Sequence, residues 1–186
     1  MKHARPENKS GPSAEFLRLA DLPKKELERE FVRGTTPVVT DLAGWDFRGL
    51  NHAKATKLVG IRKFVKGFYL QSGDLYGYNV VVKQGPLTDE WQPVPSDDSP
   101  KRHGFYRVRE VRADDIDNAH LHALLLDYGQ GDNPRFDVTR GLRDYLVQIE
   151  DDVYLGKAFY ALGRMRIELP TMFILDRFRR GMPPTP

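Results

Sequence analysis

From residue 70 onward the chain carries one strand pattern after another and no helical period between them, and this restricts its fold more than any other feature. Residues 75–83, 105–111, 121–128, 142–149 and 153–162 are each rich in β-branched or aromatic side chains, which suit a pleated, half-buried surface. Turn-forming stretches separate them: Gly85-Pro86, the proline-rich acidic run 93–100, the loop 129–134 and Glu150-Asp151-Asp152. The last is so short that its flanking strands read as a tight hairpin. A final apolar run over 165–178 is broken by Pro170, which has no amide hydrogen to donate and belongs at a bulge or an edge. Without helices for crossovers, antiparallel up-and-down order is favoured over a parallel sheet. The expected fold is mainly β, an antiparallel up-and-down β-barrel of about seven or eight strands, with an open α+β sheet as the alternative.

Upstream, residues 21–34 have a helix start and stop. Asp21 can cap, Pro23 suits the first turn, Leu27 and Phe31 share a face, and Gly34 can end the helix. This N-terminal helix is expected on the outside of the sheet or against one end of the barrel. Trp45 and Phe47 alternate with polar neighbours and point the same way on a first strand. Residues 54–66 are ambiguous, because Leu58, Ile61, Val65 and Phe68 fit a helical face while residues 61–65 also fit a strand; the reading taken here is a helix. Residues 1–20 read as a flexible tail, 21–180 as a single barrel domain with its N-terminal helix, and 181–186 as a disordered, proline-rich tail.

Composition narrows the function classes. The chain has no cysteine, which removes thiolate nucleophiles, disulfides and cysteine metal sites together. The opening residues lack an apolar core, so no secretory leader is expected and a cytoplasmic location is. A net charge of +3 is too small to imply a nucleic-acid partner. Its distribution is uneven: Lys54, Lys57, Arg62, Lys63 and Lys66 fall together with no acid among them, a patch that suits weak contact with an anionic membrane or ligand.

No motif names a reaction, and catalytic residues are left unassigned. His120 and His122 would share a strand face but lack a third ligand, so no metal is expected; Asp114, Asp115 and Asp117 lack the glycine and distal glutamate of a calcium loop. Gly129-Gln130-Gly131 opens no helix, no serine elbow is present, and no cofactor is expected. Asp144, Asp46 and Glu168 are the carboxylates on expected barrel walls that suit acid–base chemistry. Polar side chains embedded in apolar strands are more informative, since a buried polar group needs a partner and a barrel interior offers few besides a ligand. Tyr78, Asn79, Arg107, Tyr128, Tyr145, Lys157 and Tyr160 are such residues and form the candidate ligand-binding set.

A Trp on the first strand, a segment read as helical after it, and a meander ending on an arginine-bearing strand resemble the calycin superfamily, the lipocalins and fatty-acid-binding proteins. That resemblance implies a barrel closed at one end by Arg177 stacked on Trp45, with Arg179 as the alternate. It also implies a mobile lid over the ligand entrance, bearing Lys57, Lys63 and Lys66. The segments Gly44-Trp45-Asp46-Phe47-Arg48-Gly49-Leu50-Asn51, Leu124-Leu125-Leu126-Asp127-Tyr128-Gly129 and Gly156-Lys157-Ala158-Phe159-Tyr160-Ala161-Leu162-Gly163 also resemble an uncharacterised group of bacterial proteins. The function expected is binding of a small hydrophobic or amphipathic molecule inside the barrel. The alternatives are a barrel-fold isomerase, cyclase or lyase on a lipid-like substrate, and a protein-interaction module with a filled barrel.

Overall fold

The computed structural model describes residues 11–52, 61–181 and 183–184. Eight strands follow in chain order: β1 (Trp45–His52), β2 (Lys63–Gln71), β3 (Asp74–Val81), β4 (Arg102–Glu110), β5 (Leu124–Asp127), β6 (Leu142–Glu150), β7 (Val153–Leu162) and β8 (Met165–Arg180). Each pairs antiparallel with the next, and β8 returns to β1 from Trp45↔Arg180 to His52↔Met172, so the sheet closes into a barrel with no free edge. Pro170 lies within β8 where its register against β7 slips between Lys157 and Phe159, a site where the missing amide hydrogen breaks no ladder bond. This closed barrel is compatible with a calycin-like fold. Among the described residues no helix is long and apolar enough to cross a membrane.

The alternation along the strands builds two apolar layers. Phe47, Phe68, Leu75, Val108, Leu124, Leu146, Tyr154 and Leu175 fill the interior. Val65, Leu125, Val147, Leu155 and Ile174 point outward and are covered by the N-terminal helices α1 (Ala14–Asp21) and α2 (Lys24–Arg33) together with Trp91 from the long β3–β4 loop. In α1, Ser13 caps by accepting from the Phe16 amide at 3.1 Å, and Phe16 and Leu19 are buried one turn apart. The amide of Ser13 donates to Asp176 of β8 at 3.0 Å. In α2, Leu27 and Phe31 are the buried face, and Gly34 closes the helix so near β6 that a Cβ there would meet Val147 at 2.6 Å.

Two expectations need correction and one is narrowed. Residues 14–20 are not a tail but most of α1, because Phe16 and Leu19 find a sheltered outer wall that sequence does not reveal. Of the two positions expected for the helix of residues 21–34, α2 takes the outer wall and not the end of the barrel. The end is covered instead by the short α3 (Val39–Leu42), whose Leu42 joins the interior layer. Finally, residues 63–66 are strand, not helix. Lys57 and the rest of 53–60 lie outside the described residues, but Lys63 and Lys66 are 1 % and 2 % exposed within β2, so neither belongs to an exposed basic lid or to a patch facing a membrane. Lys63 points outward and is held by the carbonyls of Pro86 at 3.1 Å and Asp89 at 3.0 Å, with its Nζ 4.1 Å from the Trp91 ring centre. Lys66 points inward.

Candidate functional site

The two ends of the barrel differ. At the end where β1 begins, Trp45 is 6 % exposed, with the guanidinium of Arg177 4.4 Å and that of Arg180 3.9 Å from its ring centre. Arg177 is fully buried and donates from Nε to Asp152 at 2.6 Å and from Nη2 to the Asp41 carbonyl at 2.6 Å. Arg179, the alternate, turns instead to Asp46 at 3.5 Å and Asp97 at 2.6 Å. Above this floor, Phe47 meets Phe68 and Tyr154 edge to face at 5.4 Å each, so the lower half of the barrel is solid.

The upper half is hollow. A cavity of about 290 Å³ lies at the opposite end, walled by Phe64, Val81, Leu142, Ala158, Leu169 and Phe173. Glycine makes room for its two phenylalanines: a Cβ on Gly49 would meet the Phe64 ring at 2.3 Å, and one on Gly156 the Phe173 ring at 2.0 Å. At the base of the cavity four polar side chains converge, three from β2, β3 and β6 and Tyr128 from the single 3-10 turn that follows β5. Lys66 Nζ donates to Tyr128 Oη at 2.5 Å and to Asn79 Oδ1 at 2.9 Å, and lies 3.4 Å from Asp144 Oδ2. Tyr128 Oη in turn donates to Asp144 Oδ2 at 2.9 Å. Asn79 is fixed by donating to the Gly104 carbonyl at 3.0 Å, and Lys66 Nζ sits 4.6 Å from the Tyr106 ring centre.

Burial sets the protonation of this cluster. It drives the Lys66 ammonium below its ordinary range, with Asp144 pushing back. It drives the Asp144 carboxyl above its ordinary range, with Lys66 and the Tyr128 hydroxyl pulling it down. The ion pair and the neutral pair reached by moving one proton are thereby brought closer in energy than they are in water. Burial keeps Tyr128 and Tyr106 protonated by raising both well above the ordinary phenol value. His103, also on the cavity wall, is held neutral by burial first and by Lys66 and Lys101 after it. The cluster therefore offers an amine, a carboxyl group and a phenol within one hydrogen-bonded chain, with its formal charges compensated.

Of the seven residues singled out as ligand-binding, Asn79 and Tyr128 line the cavity. The others do not. Tyr78 faces the outer layer and donates to Asp46 at 3.1 Å; Arg107 is on the surface, paired with Asp74 at 2.9 Å. Tyr145 packs outside against His120 and Phe159, Lys157 pairs with Glu28 at 2.8 Å and Glu168 at 3.1 Å, and Tyr160 donates to the Val138 carbonyl at 3.1 Å. The reason is strand parity: Tyr78 and Tyr145 are one residue out of step with the inward Asn79 and Asp144. Of the three wall carboxylates only Asp144 is inside. His120 and His122 sit in the turn before β5 against Phe31, and among the described residues no three metal-binding side chains gather.

Lys66 and His103, which line the cavity, and Tyr106, whose ring faces Lys66, were not among the candidate ligand-binding residues. A signal for Lys66 is present, since Phe64, Lys66 and Phe68 share one face, as do Leu124, Leu126 and Tyr128, and Leu142, Asp144 and Leu146. Compared with family models, curated proteins and solved structures, the chain matches none.

Outside the barrel, Asp46 carries a separate consequence. Burial pushes its carboxyl up to about 6, against the pull of Arg179 and the Tyr78 hydroxyl. The native state then binds a proton that the unfolded chain has already released, so stability is greatest below the unfolded value near 3.8 and declines as pH rises through about 6. Asp46→Asn, which keeps the acceptor for Tyr78, is expected to gain about 3 kcal/mol over wild type near pH 8 and to match it near pH 4. Urea denaturation at the two pH values checks this, and a gain of the same size at both would mean that the carboxylate charge is not its source.

Proposed function

We propose that this protein holds a small, mainly apolar molecule with one uncharged polar head inside the upper half of the barrel, the head against Lys66, Tyr128 and Asn79. The observation that carries the reading is the pairing of an apolar-walled cavity with a single convergent polar cluster at its base, the usual composition of a small-molecule site. The compensation of Lys66 by Asp144 favours a carbonyl or hydroxyl head over a carboxylate. Volume limits the body. A cavity of roughly 150 Å³ takes benzene, so about 290 Å³ suits a ligand of about a dozen heavy atoms rather than an enclosed long-chain fatty acid. The calycin resemblance, with one end closed at Trp45 and the other open, agrees with entry from the hollow end. The solid lower half and hollow upper half together argue against a barrel filled throughout by its own side chains.

Naphthylmethanol is a suitable probe. It is expected to bind one to one in native mass spectrometry and to raise the melting temperature, by an amount corresponding to about 2.7 kcal/mol at a hundredfold excess over Kd. Ala158→Phe, which fills the cavity from β7, should abolish both effects while leaving the chain folded. Binding that persists in Ala158→Phe, or failure of the wild type to bind naphthylmethanol while long-chain fatty acids do bind, would refute the site or its size.

A further inference from the structure

We propose that Lys66 is a covalent capture site for an aldehyde or ketone, its Nζ condensing with the carbonyl carbon of a small apolar ligand seated in the barrel to form an imine. This rests on the reading of the cavity as a small-molecule site and names the substrate class. Three features of the geometry lead to it. The amine is on the cavity wall and almost wholly buried, so a carbonyl compound seated in the cavity lies beside it. Asp144 Oδ2 at 3.4 Å and Tyr128 Oη at 2.5 Å from Nζ provide a direct and a relayed path for the proton that the ammonium must lose before it can attack. The aromatic surfaces of Tyr106 and Phe173, with ring centres 4.6 Å and 5.1 Å from Nζ, stabilise the cation that the protonated imine would be.

The step balances within the cluster. The Lys66 ammonium passes a proton to the Asp144 carboxylate, leaving a neutral amine and a carboxylic acid. The nitrogen lone pair forms the new C–N bond as the carbonyl π pair moves to oxygen, which takes a proton from the cluster. Cleavage of the C–O bond releases that oxygen as water, and the imine nitrogen keeps one proton. One ammonium, one carboxylate and one carbonyl compound become one protonated imine, one carboxylate and one water, with no oxidant, reductant or metal. Burial, which lowers the basicity of Lys66, raises the share of reactive free amine about tenfold for each pKa unit.

The test uses naphthaldehyde as the probe and naphthylmethanol, which has no carbonyl, as the control. Wild-type protein incubated with naphthaldehyde near neutral pH and then reduced with borohydride should carry one naphthylmethyl group per chain, mapped by peptide mass to Lys66. Labelling there should exceed that of any other lysine by at least about tenfold, because the bound carbonyl is held beside the Lys66 amine. Lys66→Met should lose the label, and Asp144→Asn should slow its appearance by tenfold or more, about the effect of losing a positioned proton-transfer group. Because the principal readout is the wild-type adduct, the inference does not depend on either variant folding. If naphthylmethanol binds and naphthaldehyde leaves no adduct on Lys66, or labels lysines evenly, the capture role is overturned and the barrel-ligand reading stands. If neither compound binds, both fall. An unchanged labelling rate in Asp144→Asn would remove the carboxyl group from the proton path.

Discussion

Lys66→Met is expected to destabilise the protein by about 3–5 kcal/mol near pH 8, the range for leaving one half of a buried ion pair alone. Asp144 would then be a carboxylate with no cation beside it, deep in the barrel, with only the Tyr128 hydroxyl donating to it. The penalty should shrink in acid, and the sign follows from the direction of the shift. Burial already raises the Asp144 carboxyl, and loss of Lys66 raises it further, so the native variant takes up a proton at a pH where its unfolded chain stays ionised. Stability of the variant relative to wild type therefore rises as pH falls toward the unfolded value. The double variant Lys66→Met/Asp144→Leu should recover most of the loss, because an apolar pair of similar volume desolvates no charge. Urea denaturation of the single and double variants at two pH values measures all of this. A cost below about 1 kcal/mol near pH 8 would mean that the two charges are screened by solvent rather than buried.

Trp45→Ala is expected to cost about 3–5 kcal/mol, the range for removing a large buried aromatic. The indole closes the solid end of the barrel, beside Leu42 of α3 and under two guanidiniums. Its loss leaves a void and removes the aromatic face on which buried Arg177 rests. Denaturation midpoints with an unchanged m-value would report this cleanly, and a loss under about 1 kcal/mol would show that the floor is carried by other contacts. Ligand binding should survive in Trp45→Ala to the extent that the protein folds, since the cavity lies at the other end of the barrel.

The two variants also mark what could and could not be read before the fold was known. The run of strand patterns from residue 70 onward, the short turns between them and the absence of crossover helices were enough to argue a closed antiparallel barrel, because strand propensity, two-residue alternation and turn chemistry are local properties of the chain. The shared face of Trp45 and Phe47 was legible for the same reason, since an alternating stretch keeps its two faces wherever it ends up, whereas the stacking of Arg177 on Trp45 was implied only by the calycin resemblance. The proline in β8 read as a bulge or an edge because its missing amide hydrogen is intrinsic to the residue, and the register of β8 against β7 slips beside it.

The site was not local in this sense. A strand buried on both faces loses the apolar–polar alternation that reveals which side is inside, and much of this barrel is such a strand, with helices and Trp91 covering its outer wall. Polar residues on apolar strands were therefore visible while their direction was not, and five of the seven chosen for ligand contact belong to the outer layer or its rim. Lys66 was hidden twice, by a basic neighbourhood that read as a solvated face and by an inward cation that broke the apolar rhythm of β2. Only closure of the sheet brings β2, β3, β5 and β6 around one space, and only there can Lys66, Asn79, Tyr128 and Asp144 satisfy one another's buried hydrogen bonds. Local patterning determined that a barrel forms; long-range pairing decided which side chains share its interior, because that depends on register between strands far apart in the chain.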